Sequence, residues 1–316
     1  MKKILKITGI VIGILILIVA VFTAYSTWKF NHLPPLPVTP LAIRAVSDSA
    51  TIAEGKKIVL SVCGYCHMNE NGTLSGNLFA TREEGFGEIW AANITRNKLD
   101  KYTDGELAFT IRKGVNREGR LLGPFMMHPN LSDQDVTAII SFLRSDHPAT
   151  QPADFTPPAP DYSLLAKVFI GGLGFFQPMD DSIQPWPHPD PSDPVSHGRY
   201  LANVRLGCFG CHSASFETND IVKPENSVNY MGGGNPVHTQ DRSAYVISPN
   251  ITPHPTDGIG KWSEEQFSQA LIAGVRPGKP PINPAMPRFN FLSEEEIHAL
   301  WSYLKTVPPL EGKGSK

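Results

Sequence analysis

Only four cysteines occur in 316 residues, and charged residues make up only 18% of the chain. So few thiols exclude a scaffold built on disulfides, and so little charge excludes both a long coiled coil and an acidic disordered tail. Neither sign is in surplus. The formal net charge is -2, with 12 basic against 13 acidic side chains in residues 41–150 and 12 against 17 in residues 151–316. Neither half has the basic footprint that nucleic acid requires. Chain punctuation, by contrast, is plentiful. The 29 prolines and 27 glycines predict short helices joined by long ordered loops, and the residues beyond the first 28 suffice for two domains of about 100–200 residues each.

The first 28 residues stand apart. Residues 7–25 form a run of 19 without a charge, which as a helix reaches about 28 Å, one hydrocarbon core. Lys2, Lys3 and Lys6 precede it and only Lys29 follows closely, so the positive-inside rule leaves the amino terminus in the cytoplasm and the rest of the chain outside it. Tyr25 and Trp28 suit an interfacial belt. A cleaved signal segment ending near Ala24-Tyr25-Ser26 is the alternative to a retained anchor. Residues 32–40, rich in proline, then read as a stiff spacer lifting the first domain off the bilayer.

The remainder contains a repeat. Gly55-Lys-Lys followed by Cys63-Gly-Tyr-Cys66-His67 matches Gly198-Arg-Tyr followed by Cys208-Phe-Gly-Cys211-His212. Asn93-Ile-Thr95 matches Asn250-Ile-Thr252, Lys101-Tyr102-Thr103 matches Lys261-Trp262-Ser263, and Gly114-Val115 matches Gly274-Val275, all in the same order. Thr103 with Glu106, and Ser263 with Gln266, predict capped helices that end at Gly114 and Gly274. Ser132 with Asp135 opens the last helix of the first copy as a weaker box, because Asp is short; Ser293 with Glu296 opens that of the second. Val136, Ile139, Ile140 and Leu143, like Ile297, Leu300, Trp301 and Leu304, give each closing helix an apolar stripe. Between the copies, prolines frame an apolar island at residues 164–176, too short and glycine-rich to span a membrane. The expectation is that it packs against the two domains; a patch touching the bilayer or a partner subunit is the alternative.

Cys-x-x-Cys-His is the attachment signal for c-type haem. Two thiols on one face of a turn add to the porphyrin vinyl groups, and the adjacent imidazole reaches the iron from the same side. A zinc site would need further ligands at their own spacing, which neither copy has, and a redox dithiol would sit beside a βαβ pattern that is absent. The predicted cofactors are therefore two covalently bound haems, on Cys63, Cys66 and His67 and on Cys208, Cys211 and His212.

The sixth iron ligand separates carriers from reactive sites. Met286, in Pro284-Ala-Met286-Pro, lies 12 residues after Gly274, and Met126 lies 12 residues after Gly114. These two are the expected distal ligands, with Met127 and His128 as alternatives in the first copy. Met68 and Met231 read as packing or loop residues, Arg120 and Arg288 as solvated side chains, and His188, His197, His238 and His254 as loop histidines. Asn93, Thr95, Asn250 and Thr252, with Tyr102 and Trp262, read equally well as propionate partners or as plain turn and core residues.

Taken together, the runs from Gly198 to His212, from Asn250 to Ser263 and from Pro284 to Pro287 resemble the cytochrome c subunit of membrane-bound alcohol, gluconate and sorbitol dehydrogenases. That family's Gly-Val-x-x-x-Gly-Arg-x-Leu-x-Pro-x-Met pattern is followed position by position from Gly114 to Met126. The resemblance spans about residues 50–306 and implies an all-α fold, with tandem cytochrome c-like domains of class I type after an N-terminal transmembrane helix. The implied layout is an anchor or signal segment at 1–28, a spacer at 29–45, haem domains at 46–148 and 196–310, a linker at 149–195 and a tail at 311–316. Three departures stand out: two haem motifs where the family typically carries three, an anchor where it carries a leader, and Met127-His128 where Met-Pro is expected.

The expected function is a membrane-anchored dihaem cytochrome relaying single electrons on the periplasmic side of the inner membrane. Its partners would be a dehydrogenase, a quinol-oxidising complex, a soluble cytochrome or an oxidase, and not nucleic acid. A dihaem peroxidase or oxidase with one open iron is the alternative. With all four cysteines committed to attachment, a sulfur-compound dehydrogenase with a distal cysteine is excluded.

Overall fold

The computed structural model describes residues 2–123, 126–174, 177–239 and 242–312. Helix α1 (Lys2–Asn31) is followed by α2 (Ser49–Ile58), which runs through a wide turn at Val59–Cys63 into α3 (Gly64–His67). Then come α4 (Arg96–Leu99), α5 (Asp104–Lys113), α6 (Asp133–Leu143) and α7 (Leu164–Lys167). The second repeat supplies α8 (Pro194–Tyr200), a wide turn at Leu201–Arg205, α9 (Cys208–Cys211), α10 (Glu264–Ala273) and α11 (Glu294–Leu304). The all-α expectation describes the helical cores only. Strands β1 (Leu78–Ala80), β2 (Gly87–Trp90) and β3 (Asp161–Tyr162) form an antiparallel sheet in that order, and β4 (Pro236–His238) pairs with β5 (Tyr245–Ile247).

The predicted helix ends are present. Thr103, Ser263 and Ser293 each close a reciprocal capping box with Glu106, Gln266 and Glu296, satisfying two orphan amides apiece. Gly114 and Gly274 end α5 and α10 at φ 65° and 71°, a conformation only glycine enters without strain. Ser132 caps α6 from one side only, because the Asp135 carboxylate is engaged elsewhere.

The chain divides into two compact units. One comprises Met1–Leu41, Cys66–Met127 and Asp146–Met179; the other comprises Ala42–Tyr65, His128–Ser145 and Asp180–Lys316. The outer helices of the first repeat, α2 and α6, thus fold together with the second repeat.

In the first unit, the proline-rich stretch is extended but docked rather than free-standing. Leu36 N donates to Gly119 O at 2.8 Å and Leu41 N to Gly105 O at 3.0 Å, so it lies along the start of α5 and the turn after it. The apolar island packs on α1: Gly171 and Gly172 lie against Ser26, which is fully buried. Phe175 and Phe176 of the island lie outside the described residues.

In the second unit, α2 crosses α6 and α8 crosses α11 in the same way. A Cβ at Gly55 would fall 1.9 Å from Ala138 O, and one at Gly198 would fall 1.8 Å from Ala299 O. The helix backbones touch, and only glycine permits it. Around the crossings lies a buried charge cluster. Arg205 pairs with Asp135 through Nη2 at 2.7 Å and Nε at 3.3 Å, and its Nη1 reaches Glu54 at 2.6 Å and Glu296 at 3.2 Å. Tyr200 donates to Asp135 Oδ2 at 2.8 Å and accepts from Ser132 N at 2.9 Å. Burial and the neighbouring Asp135 carboxylate push the Tyr200 phenol up, keeping it a donor. His188, expected as a loop histidine, stands 3.7 Å from the same carboxylate and packs edge-on to Tyr200.

Two outcomes follow from this packing. Gly198→Ala forces α8 away from α11 and should cost about 1–3 kcal/mol of stability, read from the denaturant midpoint; an unchanged midpoint would show that the backbones do not touch. Arg205→Ala strands two buried carboxylates and should cost about 3–5 kcal/mol. A loss below 1 kcal/mol in the same titration, the value of an exposed pair, would show that the guanidinium is solvated.

Candidate haem-binding sites

Each attachment motif is delivered by the same local device. The first long helix of the repeat widens into an i+5 turn, with Gly64 N bonded to Val59 O in one copy and Leu206 N to Leu201 O, at 2.9 Å, in the other. Cys63 is the last residue of the first wide turn, and Cys208 stands three residues beyond the end of the second. No disulfide joins the four cysteines, and all are of intermediate exposure. In the second copy, burial, reinforced by Cys211, pushes the Cys208 thiol up to about 12.

The two imidazoles are held alike. His67 Nδ1 donates to Ala92 O at 2.7 Å, and His212 Nδ1 donates to Pro249 O at 2.8 Å. A carbonyl can only accept, so Nδ1 carries the proton and Nε2 keeps its lone pair. Burial lowers the pKa of both rings against the opposing pull of those carbonyls, so both stand neutral at pH 7. A neutral ring fixed through its far nitrogen is how a protein aims a metal-ligating histidine.

In the first copy, His67 Nε2 faces Met126 Sδ at 3.5 Å. With the ring proton on Nδ1, these are two electron-pair donors aimed at each other without a proton between them. Such a donor set suits an electron-pair acceptor held between nitrogen and thioether, the His/Met ligation of haem iron. Met127 is placed differently: it is buried, with its Cγ 2.6 Å from where a Cβ on Gly114 would lie. Over Gly274, the matching position is filled by the Arg288 guanidinium at 2.4 Å. Pro124 and Phe125, which precede Met126 in the ligand loop, lie outside the described residues.

In the second copy, Met286 packs against the core of its unit. Arg288, expected to be solvated, clamps the loop that carries it, donating to Met286 O at 2.9 Å and Ile282 O at 2.7 Å. Arg120 is exposed as expected. Met231 lies in the core.

The Asn-Ile-Thr motifs prove to be clamps. Asn93 Oδ1 accepts from Thr95 N at 2.9 Å and from its Oγ1 at 2.6 Å, while Nδ2 donates to Ala153 O and Phe155 O. Asn250 Oδ1 accepts from Thr252 in the same way, and its Nδ2 donates to Leu310 O at 2.6 Å. Each Asn therefore ties the chain after its repeat to the loop whose preceding carbonyl, Ala92 or Pro249, orients the histidine. Their hydrogen bonds go to protein groups, as in the turn-and-core reading. Trp262 packs on the core of the second unit, and Tyr102 lies under Lys101 and Arg117. The carbonyl partners of the histidines were missed from sequence; the signal was the identical placement of Asn-Ile-Thr in both copies.

Asn250→Ala unpairs the buried Thr252 N–H and the Leu310 carbonyl. It should cost about 1–3 kcal/mol in denaturant titration, with Asn250→Asp recovering only the Thr252 half; equal stability of all three proteins would show that no clamp exists.

A family model described as cytochrome c matches residues 52–146 and 197–308. Among curated proteins, the chain is 25% identical over 288 residues to the cytochrome c subunit of a quinone alcohol dehydrogenase from Gluconacetobacter polyoxogenes, covering 86% of this chain and 59% of the relative. It is 25% identical over 277 residues to the fructose dehydrogenase cytochrome subunit of Gluconobacter japonicus (84% and 54%). It is 27% identical over 262 residues to the gluconate 2-dehydrogenase cytochrome c subunit of Pantoea cypripedii (78% and 56%). A diheme cytochrome c-type protein of Cereibacter sphaeroides matches at 29% over 105 residues, a third of each chain. The chain thus spans 54–59% of the length of the three dehydrogenase subunits.

Proposed function

Because the chain belongs to the cytochrome c family, we propose that it is a membrane-anchored dihaem cytochrome relaying single electrons, and that it serves as the electron-transfer subunit of a dehydrogenase complex. The observation that carries this reading is the facing pair of His67 Nε2 and Met126 Sδ, beside a second motif whose His212 is oriented in the same manner. Covalently bound haem c is the cofactor of such domains, and it supplies one-electron iron redox chemistry when bound.

The chain's own residues then have three tasks. Cys63 and Cys66, and Cys208 and Cys211, would supply the thioether sulfurs. His67 with Met126, and His212 with Met286, would supply one nitrogen and one sulfur ligand to each iron. Ala92 and Pro249 keep the imidazoles in one tautomer, and the surrounding core excludes water from the ligands. A filled coordination sphere favours electron transfer over binding of small molecules, so the protein is a carrier and not a catalyst.

The relatives named as subunits of alcohol, fructose and gluconate dehydrogenases support a dehydrogenase as electron donor. Helix α1 is long and apolar enough to cross a bilayer. Lys2, Lys3 and Lys6 ahead of the apolar run support an orientation with the haem domains on the periplasmic side of the inner membrane, by the positive-inside rule.

Protein expressed with a c-type maturation system should carry two haems per chain and give reduced spectra that carbon monoxide leaves unchanged. Met126→Ala or Met286→Ala should each open one iron to carbon monoxide and lower one midpoint potential, whereas Met127→Leu should change neither. A wild-type protein that binds carbon monoxide, or a Met127→Leu variant that does so while Met126→Ala does not, would overturn the ligand assignment.

A further inference from the structure

Residues 161–173 are tied down firmly on one side. Gly87 of β2 pairs with Tyr162 of β3, and Ser163 Oγ donates to Gly85 O at 2.6 Å. Asp161 is neutralised by Arg82. The turn that follows α7 beds onto α1. A Cβ on Gly171 would fall 2.3 Å from Ser26 O, one on Gly172 would fall 2.1 Å from Ser26 Oγ, and Phe22 and Phe30 flank the contact. Tyr162 meets Phe30 edge-on at 5.2 Å between ring centroids. The segment cannot move along α1 without breaking this fit.

Its other side is bare. Leu164, Leu165 and Leu173 are 59, 58 and 55% exposed. Their depth follows from α1. The turns that hold the segment, from Phe22 to Phe30, include the exposed Tyr25, which ends the uncharged run of residues 7–25, and the exposed Trp28 one turn beyond it. Aromatic side chains at such a boundary sit at headgroup level. At 1.5 Å rise per residue, Phe22 lies about 4.5 Å to the bilayer side of Tyr25 and Phe30 about 7.5 Å to the water side. A segment docked across that interval is held at the interface itself, where apolar side chains enter the headgroup–acyl boundary to a depth of about 5–10 Å.

We propose that Leu164, Leu165 and Leu173 insert into the same bilayer leaflet that receives the end of α1, making a second membrane contact that fixes the first unit against the lipid surface. The apolar surface is continuous with the helix it packs on, so lipid covers both. The inference rests on the reading of α1 as a retained membrane anchor.

Nitroxide labels on cysteines introduced one at a time test it in the full-length, haem-loaded chain, whose native cysteines are consumed by attachment. The four sites are Leu15→Cys, Leu165→Cys, Leu173→Cys and Tyr245→Cys. Each protein is placed in phosphatidylcholine–phosphatidylglycerol vesicles, and power saturation compares collision with oxygen, which concentrates in lipid, and with a water-soluble nickel chelate. Oxygen should exceed the chelate at residues 15, 165 and 173, and the order should reverse at residue 245. Water-like behaviour at 165 and 173 with a lipid signal at 15 overturns the proposal and leaves the anchor standing. Exclusion of both reagents at 165 and 173 means that protein covers the leucines, which also overturns it. A water-like signal at residue 15 removes the anchor and the proposal together.

Discussion

Each attachment motif hangs from a helix whose backbone touches the backbone of another, and that contact exists only because the residue at the crossing has no side chain. Gly55 against Ala138 and Gly198 against Ala299 set the depth and the rotation of α2 and α8. Everything further along those helices inherits the setting. The wide turn adds one residue to the helical count, so the cysteines and histidine that follow emerge on a face that a regular helix would not present. A displaced crossing would misplace both thiols and the imidazole together. That the same crossing and the same wide turn occur in both repeats, with different flanking residues, shows how strongly the geometry constrains the motif.

Below that level, the imidazole is controlled by a chain of hydrogen bonds that leads away from the motif. The histidine is aimed by a backbone carbonyl, the carbonyl is presented by a loop, and the loop is held by an asparagine, whose hydrogen bonds number four to Thr95 and the linker in one copy and three to Thr252 and Leu310 in the other. The segments that follow both repeats therefore take part in orienting the imidazoles although they lie far from the motif in sequence. The loops that carry Met126 and Met286 are packed by different means. Met127 fills the space over Gly114 in one, while a guanidinium that also bonds two carbonyls fills the space over Gly274 in the other. A thioether and an arginine thus solve the same packing problem, which is why Met127 sits beside Met126 with its side chain over Gly114.

Much of this was legible because it is local. Capping boxes at Thr103, Ser263 and Ser293 and terminal glycines at 114 and 274 depend on residues three or four apart, and the structure places them as read. Met126, picked out by its spacing from Gly114, is the methionine whose sulfur faces His67 Nε2. What escaped were interactions whose partners are distant in sequence. Arg205 meets Glu54 and Asp135 across 151 and 70 residues, and no periodicity marks it. The strand at Asp161–Tyr162 is two residues long and exists because β2 offers it an edge. The proline-rich stretch is extended but docked along Gly105 and Gly119, through backbone groups that composition does not reveal. Asp135 illustrates the conflict directly: local pattern makes it half of a capping box, and a long-range guanidinium takes its carboxylate instead.

The charge cluster also explains why the compact units do not follow the repeats. One guanidinium, 6% exposed, is surrounded by three carboxylates, of which Asp135 and Glu296 are themselves buried. Such a group costs several kcal/mol per ion to desolvate and is offset only when every partner is in place. The cation comes from the second repeat, Glu54 and Asp135 come from the first, and Lys57 at the rim, 3.4 Å from Glu54 and 3.8 Å from Glu296, spreads the excess negative charge. An apolar cluster of the same volume would lose stability gradually as helices withdrew. This one loses it at once, because removing α2, α6 or α11 leaves a desolvated charge without compensation. The helices that carry the two attachment motifs are thereby coupled through Arg205, which stands three residues ahead of Cys208, so the second motif is held in position by carboxylates of the first repeat.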